Sequence, residues 1–330
     1  MFTRSTPKIK TPNSIAVLQC ATINDWKQWF LIRGESRSAP ILLFLHGGPG
    51  TAQIAFIRRY MRELEKNFIV VNWDQRAAGL SYSGKISESC MNIEQFVADA
   101  YEVVQMLRRK FDREKIYLAG HSWGSVVGAI LAARHPDLFH CYTGIGQIGN
   151  MRDNERLAYD FITGTARKKN DLVVLKAMEA MGPPPYRNVV LDMLHRGEWT
   201  SRYRAILKGQ RVEFFFLKNL LFSSEYTLAD RFRWLKGQLY SIRKLWPELY
   251  EVDLFERVPE FEIPVYFCLG RYDYTIAHPL SEKYFHHITA PLKKLIWFEN
   301  SAHCPHWEEP EKFTEVMGMV LEECSARVEE

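Results

Sequence analysis

Residues 116–124 read Ile-Tyr-Leu-Ala-Gly-His-Ser-Trp-Gly. A short apolar run ends in a Gly-x-Ser-x-Gly pattern, and the stretch from Ser125 to about Arg134 has the residue choice of a helix. Strand, sharp turn and helix in that order are the context in which this pattern carries chemistry. Gly120 and Gly124 leave room for a reversal where side chains would collide. Ser122 then projects its hydroxyl from the apex, and the Trp123 amide faces any charge that develops beside it. The competing reading is a tight turn whose serine merely caps the following helix.

Upstream, Ile41-Leu-Leu-Phe-Leu45 is a continuous apolar run, the signature of a strand buried on both faces. It leads into His46-Gly47-Gly48-Pro49-Gly50, a rigid loop whose amides can hold an oxyanion. An ordinary strand-to-helix turn is the alternative, but it would not need four special residues in five. Residues 53–65 read as a helix and 68–73 as another buried strand. Asp74-Gln75-Arg76-Ala77-Ala78-Gly79 follows, and Asp74 and Arg76 are expected to brace the catalytic loops as an ion pair. Residues 93–110 carry apolar side chains at helical spacing, with Asn92 as cap. Residues 139–145 form the next strand. Before all of these, 15–22 and 26–33 are two strands turning at Asn24-Asp25, an antiparallel edge. Residues 1–12 are polar, with two prolines, and are expected to be ordered only where they lie on something.

Strands alternating with helices, with chemistry-bearing loops after the strands, predict a mostly parallel sheet with helices on both faces. The rhythm stops over 146–258, where helical patterns and aromatic residues crowd between Gly and Pro breaks. That stretch is read as a helical cap inserted between a first core segment, 1–145, and a second, 259–330. The core resumes with strands at 263–269 and 294–298 and helices at 279–287 and 310–324.

The 330 residues are 47% hydrophobic, enough for one large core with an insertion. A net charge of +4 without a long basic block argues against nucleic acid. The six cysteines contain no Cys-x-x-Cys pair and are read as free thiols in a reducing compartment. No run reaches the ~18–20 apolar residues of a membrane span, and no signal-peptide stretch follows Arg4, Lys8 and Lys10. A cytoplasmic chain without a membrane partner is the expectation. No cofactor and no metal is called for, although His286-His287 and His303, Cys304 and His306 cluster in sequence. Oligomeric state is not legible.

A serine hydroxyl needs a base to take its proton, and that base needs a carboxylate to orient it. Of ten histidines, His303 follows the last strand, with His306 as nearby competitor. Asp273 follows the preceding strand, on a turn begun by Gly270. Ser122, Asp273 and His303 thus fall at three strand ends, in the chain order of a serine hydrolase triad. His46 and His121 are assigned to hydrogen bonding within their loops.

These motifs together resemble the α/β-hydrolase superfamily, and within it the proline iminopeptidase-like serine peptidases. The features carrying the resemblance are His46–Gly50, Asp74-Gln75-Arg76 with Ala78-Gly79, Gly120–Ser125 and Gly270–Asp273. It implies an oxyanion hole from the amides of Gly48 and Trp123, with Gly47 the alternative, and release of an N-terminal residue from short peptides or amides through an acyl-enzyme. Two departures stand out. Ala77 replaces a glycine of the family, and its Trp-x-x-Trp-Glu-like amine-binding segment is absent. Glu155 and Glu213 are the candidates for holding a substrate amine, and Glu198-Trp199 inverts part of the missing segment. A carboxylic ester, lactone or small-amide hydrolase with the same triad is the alternative reading.

Overall fold

The computed structural model describes residues 4–327. Eight strands form one sheet: β1 Ile15–Ile23, β2 Trp26–Gly34, β3 Ile41–Leu45, β4 Ile69–Asp74, β5 Ile116–His121, β6 Phe139–Ile145, β7 Val265–Gly270 and β8 Lys293–Phe298. Their spatial order is β1-β2-β4-β3-β5-β6-β7-β8. β1 and β2 are antiparallel to their neighbours and the rest run parallel. Asn24 and Asp25 both take positive φ, 44° and 60°, which matches the twist of a two-residue hairpin turn.

The apolar runs are continuous because both faces of the sheet are covered. Ile41, Leu43 and Leu45 pack on one side with the helix α2 Ile93–Phe111, while Leu42 and Phe44 pack on the other. The reversal of strand order lies at β3, which pairs with β4 on one edge and β5 on the other. Loops after β3 and β5 therefore diverge at a crevice, where open α/β sheets place their ligands. The register Leu45↔Gly120 sets the two loops side by side, and Gly270↔Phe298 does the same for those after β7 and β8.

The expected helix over 53–65 is shorter. Only α1 Arg58–Met61 is α-helical, followed by a 3-10 turn at Glu63–Lys66. Ala52 to Ile57 are all buried, and the Ala52 carbonyl accepts from the Trp234 indole at 2.8 Å. Tertiary packing overrides the helical pattern there. α3 Trp123–Arg134 follows β5 directly.

Between β6 and β7 the chain forms six helices and no strand of the sheet: α4 Met151–Lys168, α5 Leu172–Met181, α6 Val189–Arg202, α7 Val212–Leu221, α8 Leu228–Tyr250 and α9 Leu254–Arg257. Ile162, Ala166, Val174, Met178 and Trp199 form a small core of their own within them. The segment is fastened to the sheet by the Arg58–Glu225 ion pair at 2.9 Å and a hydrogen bond from Tyr226 to Asp74. The N-terminal arm lies on it: Arg4 grips Asp230 through two bonds of 2.6 and 2.8 Å, and the Ser5 amide donates to the Ser224 carbonyl. Residues 1–3 of the arm lie outside the described residues. α10 His278–His287, α11 Pro305–Glu308 and α12 Pro310–Ala326 complete the chain. Among the described residues no helix is long and apolar enough to cross a membrane.

Candidate active site

Ser122 takes φ 54° and ψ −118° between β5 and α3, a left-handed conformation that a serine adopts only under constraint. The flanking glycines explain how. A Cβ on Gly124 would lie 2.3 Å from the Leu45 carbonyl oxygen, and one on Gly120 would lie 2.4 Å from the Gly124 carbonyl. The turn is this tight because β3 presses directly on it. The Ser122 amide is tied to the Ile145 carbonyl at 2.9 Å, and Ser125 Oγ donates to the Ser122 carbonyl at 2.6 Å.

His303 reaches the same place from the loop after β8. Its Nδ1 lies 2.8 Å from Asp273 Oδ2, both side chains being buried. Asp273 Oδ1 accepts from the amides of Thr275 and Ile276 at 2.9 and 3.0 Å, which fixes the carboxylate. Gly146, at φ 52°, lets the imidazole in, since a Cβ there would stand 2.9 Å from both Cε1 and Nδ1. Ser122 and His303 line one cavity of about 570 Å3. No hydrogen bond joins Ser122 Oγ to His303 among the described residues, and a candidate base commonly closes on its nucleophile only when substrate is bound.

His306, the competitor, does not line this cavity. It is buried against Phe44 and His121, with neither ring nitrogen hydrogen-bonded, and burial holds its pKa well below the usual range. His121 lines the cavity, but its Nε2–H donates to the His303 carbonyl at 2.9 Å, and burial likewise lowers its pKa. His46 donates from Nδ1 to the Gly47 carbonyl at 2.8 Å, and its Nε2 accepts from the Gln75 amide at 3.1 Å. Burial pushes it down to about 4, so the ring is neutral near pH 7. Among the described residues no three His, Cys, Asp or Glu side chains are grouped to hold a metal.

Gly47 and Gly48 line the same cavity, and Gly47 lies directly against the serine: a Cβ there would stand 3.1 Å from Ser122 Cβ. The Gly48 and Trp123 amides donate to no protein group among the described residues. Gln75 ties the two loops: its Nε2 donates to the His46 carbonyl at 3.0 Å, and its Oε1 accepts from the Trp123 indole at 2.9 Å. That cross-brace was not singled out from the sequence.

The expected Asp74–Arg76 ion pair is not formed. Arg76 makes a two-pronged bond to buried Asp99 of α2 at 2.7 and 2.9 Å. Asp74 instead accepts from the Leu80 amide at 2.9 Å and from Tyr226. Successive side chains leave the chain in different directions at the strand end, so each finds its own partner. Burial pushes the Asp74 carboxyl up to about 7, against the lowering effect of Tyr226.

Neither of the two expected amine-binding carboxylates, Glu155 and Glu213, stands as a free anion at the cavity. Glu155 is fully buried beneath the wall, its Oε2 lying 3.1 Å from Arg196 Nε. Burial raises its pKa, and the Arg196 charge opposes that. Arg196 itself lines the cavity and donates to the Thr275 carbonyl at 2.7 Å, two residues beyond Asp273. Glu213 does line the cavity, but is bonded to Ser201 at 2.8 Å and Arg211 at 3.2 Å. Burial pushes its pKa up, and its own amide, Ser201 and Arg211 together outweigh that and hold it low. Glu198 lines the cavity with no ion-pair partner among the described residues. Arg196 and Glu308 escaped the sequence reading, because neither sits in a motif. Glu308 accepts from the amides of Lys208 and Ala302, joining the helical segment to the His303 loop, and burial pushes it up to about 7.

Comparison with known proteins places this geometry. Residues 40–180 match the family model for the alpha/beta hydrolase fold. A Bacillus subtilis (strain 168) protein named a probable aminopeptidase is 37% identical over 316 residues, covering 94% of this chain and 97% of that protein. A proline iminopeptidase of Heyndrickxia coagulans is 23% identical over 301 residues, 87% of this chain and 92% of its own. The crystal structure of a Mycobacterium smegmatis proline iminopeptidase superposes with a TM-score of 0.65 at 18% identity, covering 94% of this chain and 100% of that one. Sequence, fold and site geometry agree: the chain is a hydrolase of the α/β-hydrolase superfamily, from its proline iminopeptidase-like branch.

Proposed function

We propose that this chain is a serine aminopeptidase, which removes an N-terminal residue from short peptides or aminoacyl amides through an acyl-enzyme on Ser122. The observation that carries the reading is the held imidazole. His303 spends Nδ1 on Asp273, which leaves Nε2 as the only ring nitrogen available to the cavity it shares with Ser122.

His303 accepts the Ser122 proton as Oγ attacks the substrate carbonyl. Asp273 orients the ring and stabilises the imidazolium. The amides of Gly48 and Trp123 receive the oxyanion, with Gly47 the alternative to Gly48; one such donor is worth about 3–4 kcal/mol in the transition state. His303 then protonates the leaving amine, and water activated by the same ring releases the acid. No step calls for a cofactor. The named aminopeptidase relatives support the choice of substrate.

A second reading, an ester or small-amide hydrolase on the same triad, is favoured by one observation. Arg196 neutralises Glu155, so the wall offers a substrate ammonium only Glu198 and Glu213. A hydrolysis panel separates the two: aminoacyl arylamides, their N-blocked forms and short aryl esters. The aminopeptidase reading predicts that blocking the amine abolishes turnover. Equal turnover of blocked substrates, or turnover of esters alone, selects the second.

A further inference from the structure

Helix α7 is apolar on nearly all sides, Val-Glu-Phe-Phe-Phe-Leu-Lys-Asn-Leu-Leu, a pattern that calls for cover all round. Only one side has it. Phe215 packs on Tyr60 and Trp307, and Val212 and Phe216 line the cavity. The opposite stripe, Phe214, Leu217 and Leu221, faces outward with Phe222 just beyond the helix end. α8 repeats the pattern at its start: Trp234 points inward to the Ala52 carbonyl, while Leu228, Phe232 and Leu235 point out. Each of these seven outward residues is between 50% and 67% exposed. The two helices lie side by side, since Arg231 donates to the Leu221 carbonyl at 2.9 Å and the Phe216 and Trp234 rings sit 5.1 Å apart. Seven large apolar side chains at least half exposed on two adjoining helical segments are more than the singly scattered apolar residues of an ordinary surface.

The polar groups around this face are one-sided. From 212 to 240 the cations are Lys218, Arg231, Arg233 and Lys236, and the acids are Glu213, Glu225 and Asp230. Glu225 and Asp230 are buried and already paired, Glu225 with Arg58 and Asp230 with Arg4 and Arg233, which leaves Lys218, Arg231 and Lys236 without an acid partner among the described residues. Glu213 alone is exposed, and it pairs with Arg211. Phe and Leu on an outward helical face with Lys and Arg beside them is the composition of helices that lie in the plane of a lipid interface. We propose that the outer face of α7 and the first half of α8 docks on an anionic bilayer surface. A second copy on a two-fold axis fits less well, because the same face on the partner would offer these cations no free acid to pair with. Docking would place the other side of α7, a wall of the candidate active site, directly behind the lipid contact.

The test is co-sedimentation of the full chain with vesicles of phosphatidylcholine alone and of phosphatidylcholine with phosphatidylglycerol. The proposal predicts binding to the second, weakened by salt and at least tenfold poorer on the first. Lys218→Gln with Lys236→Gln should weaken it about 25-fold, at about fivefold per cation near an anionic surface. Phe222→Ser with Phe232→Ser should lower it at least tenfold. All four positions are at the surface, and an unchanged thermal midpoint shows that the variants are folded. Absence of binding to either vesicle, equal binding to both, or binding untouched by the paired substitutions overturns the proposal. So does self-association of the chain, measured by light scattering, that the phenylalanine pair abolishes while vesicles are ignored.

Discussion

The Nδ1 of His303 lies 2.8 Å from Asp273 Oδ2, although thirty residues of chain separate them. The contact exists because β7 and β8 are parallel neighbours in register, Gly270 beside Phe298, so that their following loops leave the sheet at one rim. The Asp273 carboxylate is anchored in turn by two backbone amides of its own loop, and cannot swing away without breaking them.

Replacing that carboxylate tests the orientation role. Asp273→Asn keeps the shape but allows the imidazole its other tautomer. The expected loss in kcat is about 10⁴-fold, the size of this effect in a Ser-His-Asp protease. Steady-state kinetics on the best substrate of the panel measures it. A loss below tenfold would remove Asp273 from the mechanism.

Gly124→Ala tests the turn. The added methyl would meet the Leu45 carbonyl at 2.3 Å, a backbone atom of a central strand that has nowhere to go. Overpacking of this kind costs about 3 kcal/mol. Urea denaturation should show that loss, together with much reduced activity. A variant as stable and active as the parent would show that the close approach is not obligatory.

Asp99→Ala tests the brace that replaced the expected Asp74–Arg76 pair. Asp99 also accepts from Asn24, Gln28 and Gln95, so its removal strands the buried Arg76 and three amide donors. Breaking a buried pair from one side costs about 3–5 kcal/mol. Asp99→Ala combined with Arg76→Met should recover part of it in a double-mutant cycle. Additive losses would contradict a direct coupling.

The pH dependence of stability carries a sign. Burial lifts the Asp74 carboxyl from about 3.9 in an unfolded chain to about 7 in the fold. The folded state therefore holds this proton more tightly. The stabilisation is full below about pH 4 and is lost as pH rises through 7, with a ceiling of about 4 kcal/mol. Glu308, also raised to about 7, acts in the same direction. The buried neutral rings of His46, His121 and His306 act the other way below about pH 6.5, so the carboxyl's share is read as a difference: relative to the parent, Asp74→Asn should lose the downward contribution between about pH 4 and pH 7. An identical slope in the variant would contradict the assignment.

The framework was open to reading because each of its parts has a local signal. Ile41 to Leu45 and Ile116 to Ala119 are uninterrupted apolar runs, and glycines mark the turns at 47–50 and 120–124. The family reading and the fold follow from these, and the comparisons bear both out. Partner choice among buried charges was not open in the same way. Nothing near Arg76 says that it reaches back to α2 for Asp99, or that Asp74 reaches forward to Tyr226, because both contacts depend on how distant elements stack. Glu155 shows the same limit. Its position at the start of the helical segment was visible, but the Arg196 that covers it comes from another helix, forty-one residues on. The helix expected over 53–65 is cut short for a related reason: Trp234, from far along the chain, bonds to the Ala52 carbonyl, which no local pattern reveals.

The proposed reaction depends on Ser122 being a nucleophile activated by His303. Treatment with a fluorophosphonate probe, followed by mass spectrometry of the peptides, tests it most directly. A nucleophilic Ser122 gives a single adduct at that residue, absent in Ser122→Ala and much slowed in His303→Ala, with hydrolysis lost in parallel. Labelling elsewhere, or hydrolysis that survives Ser122→Ala, would contradict it.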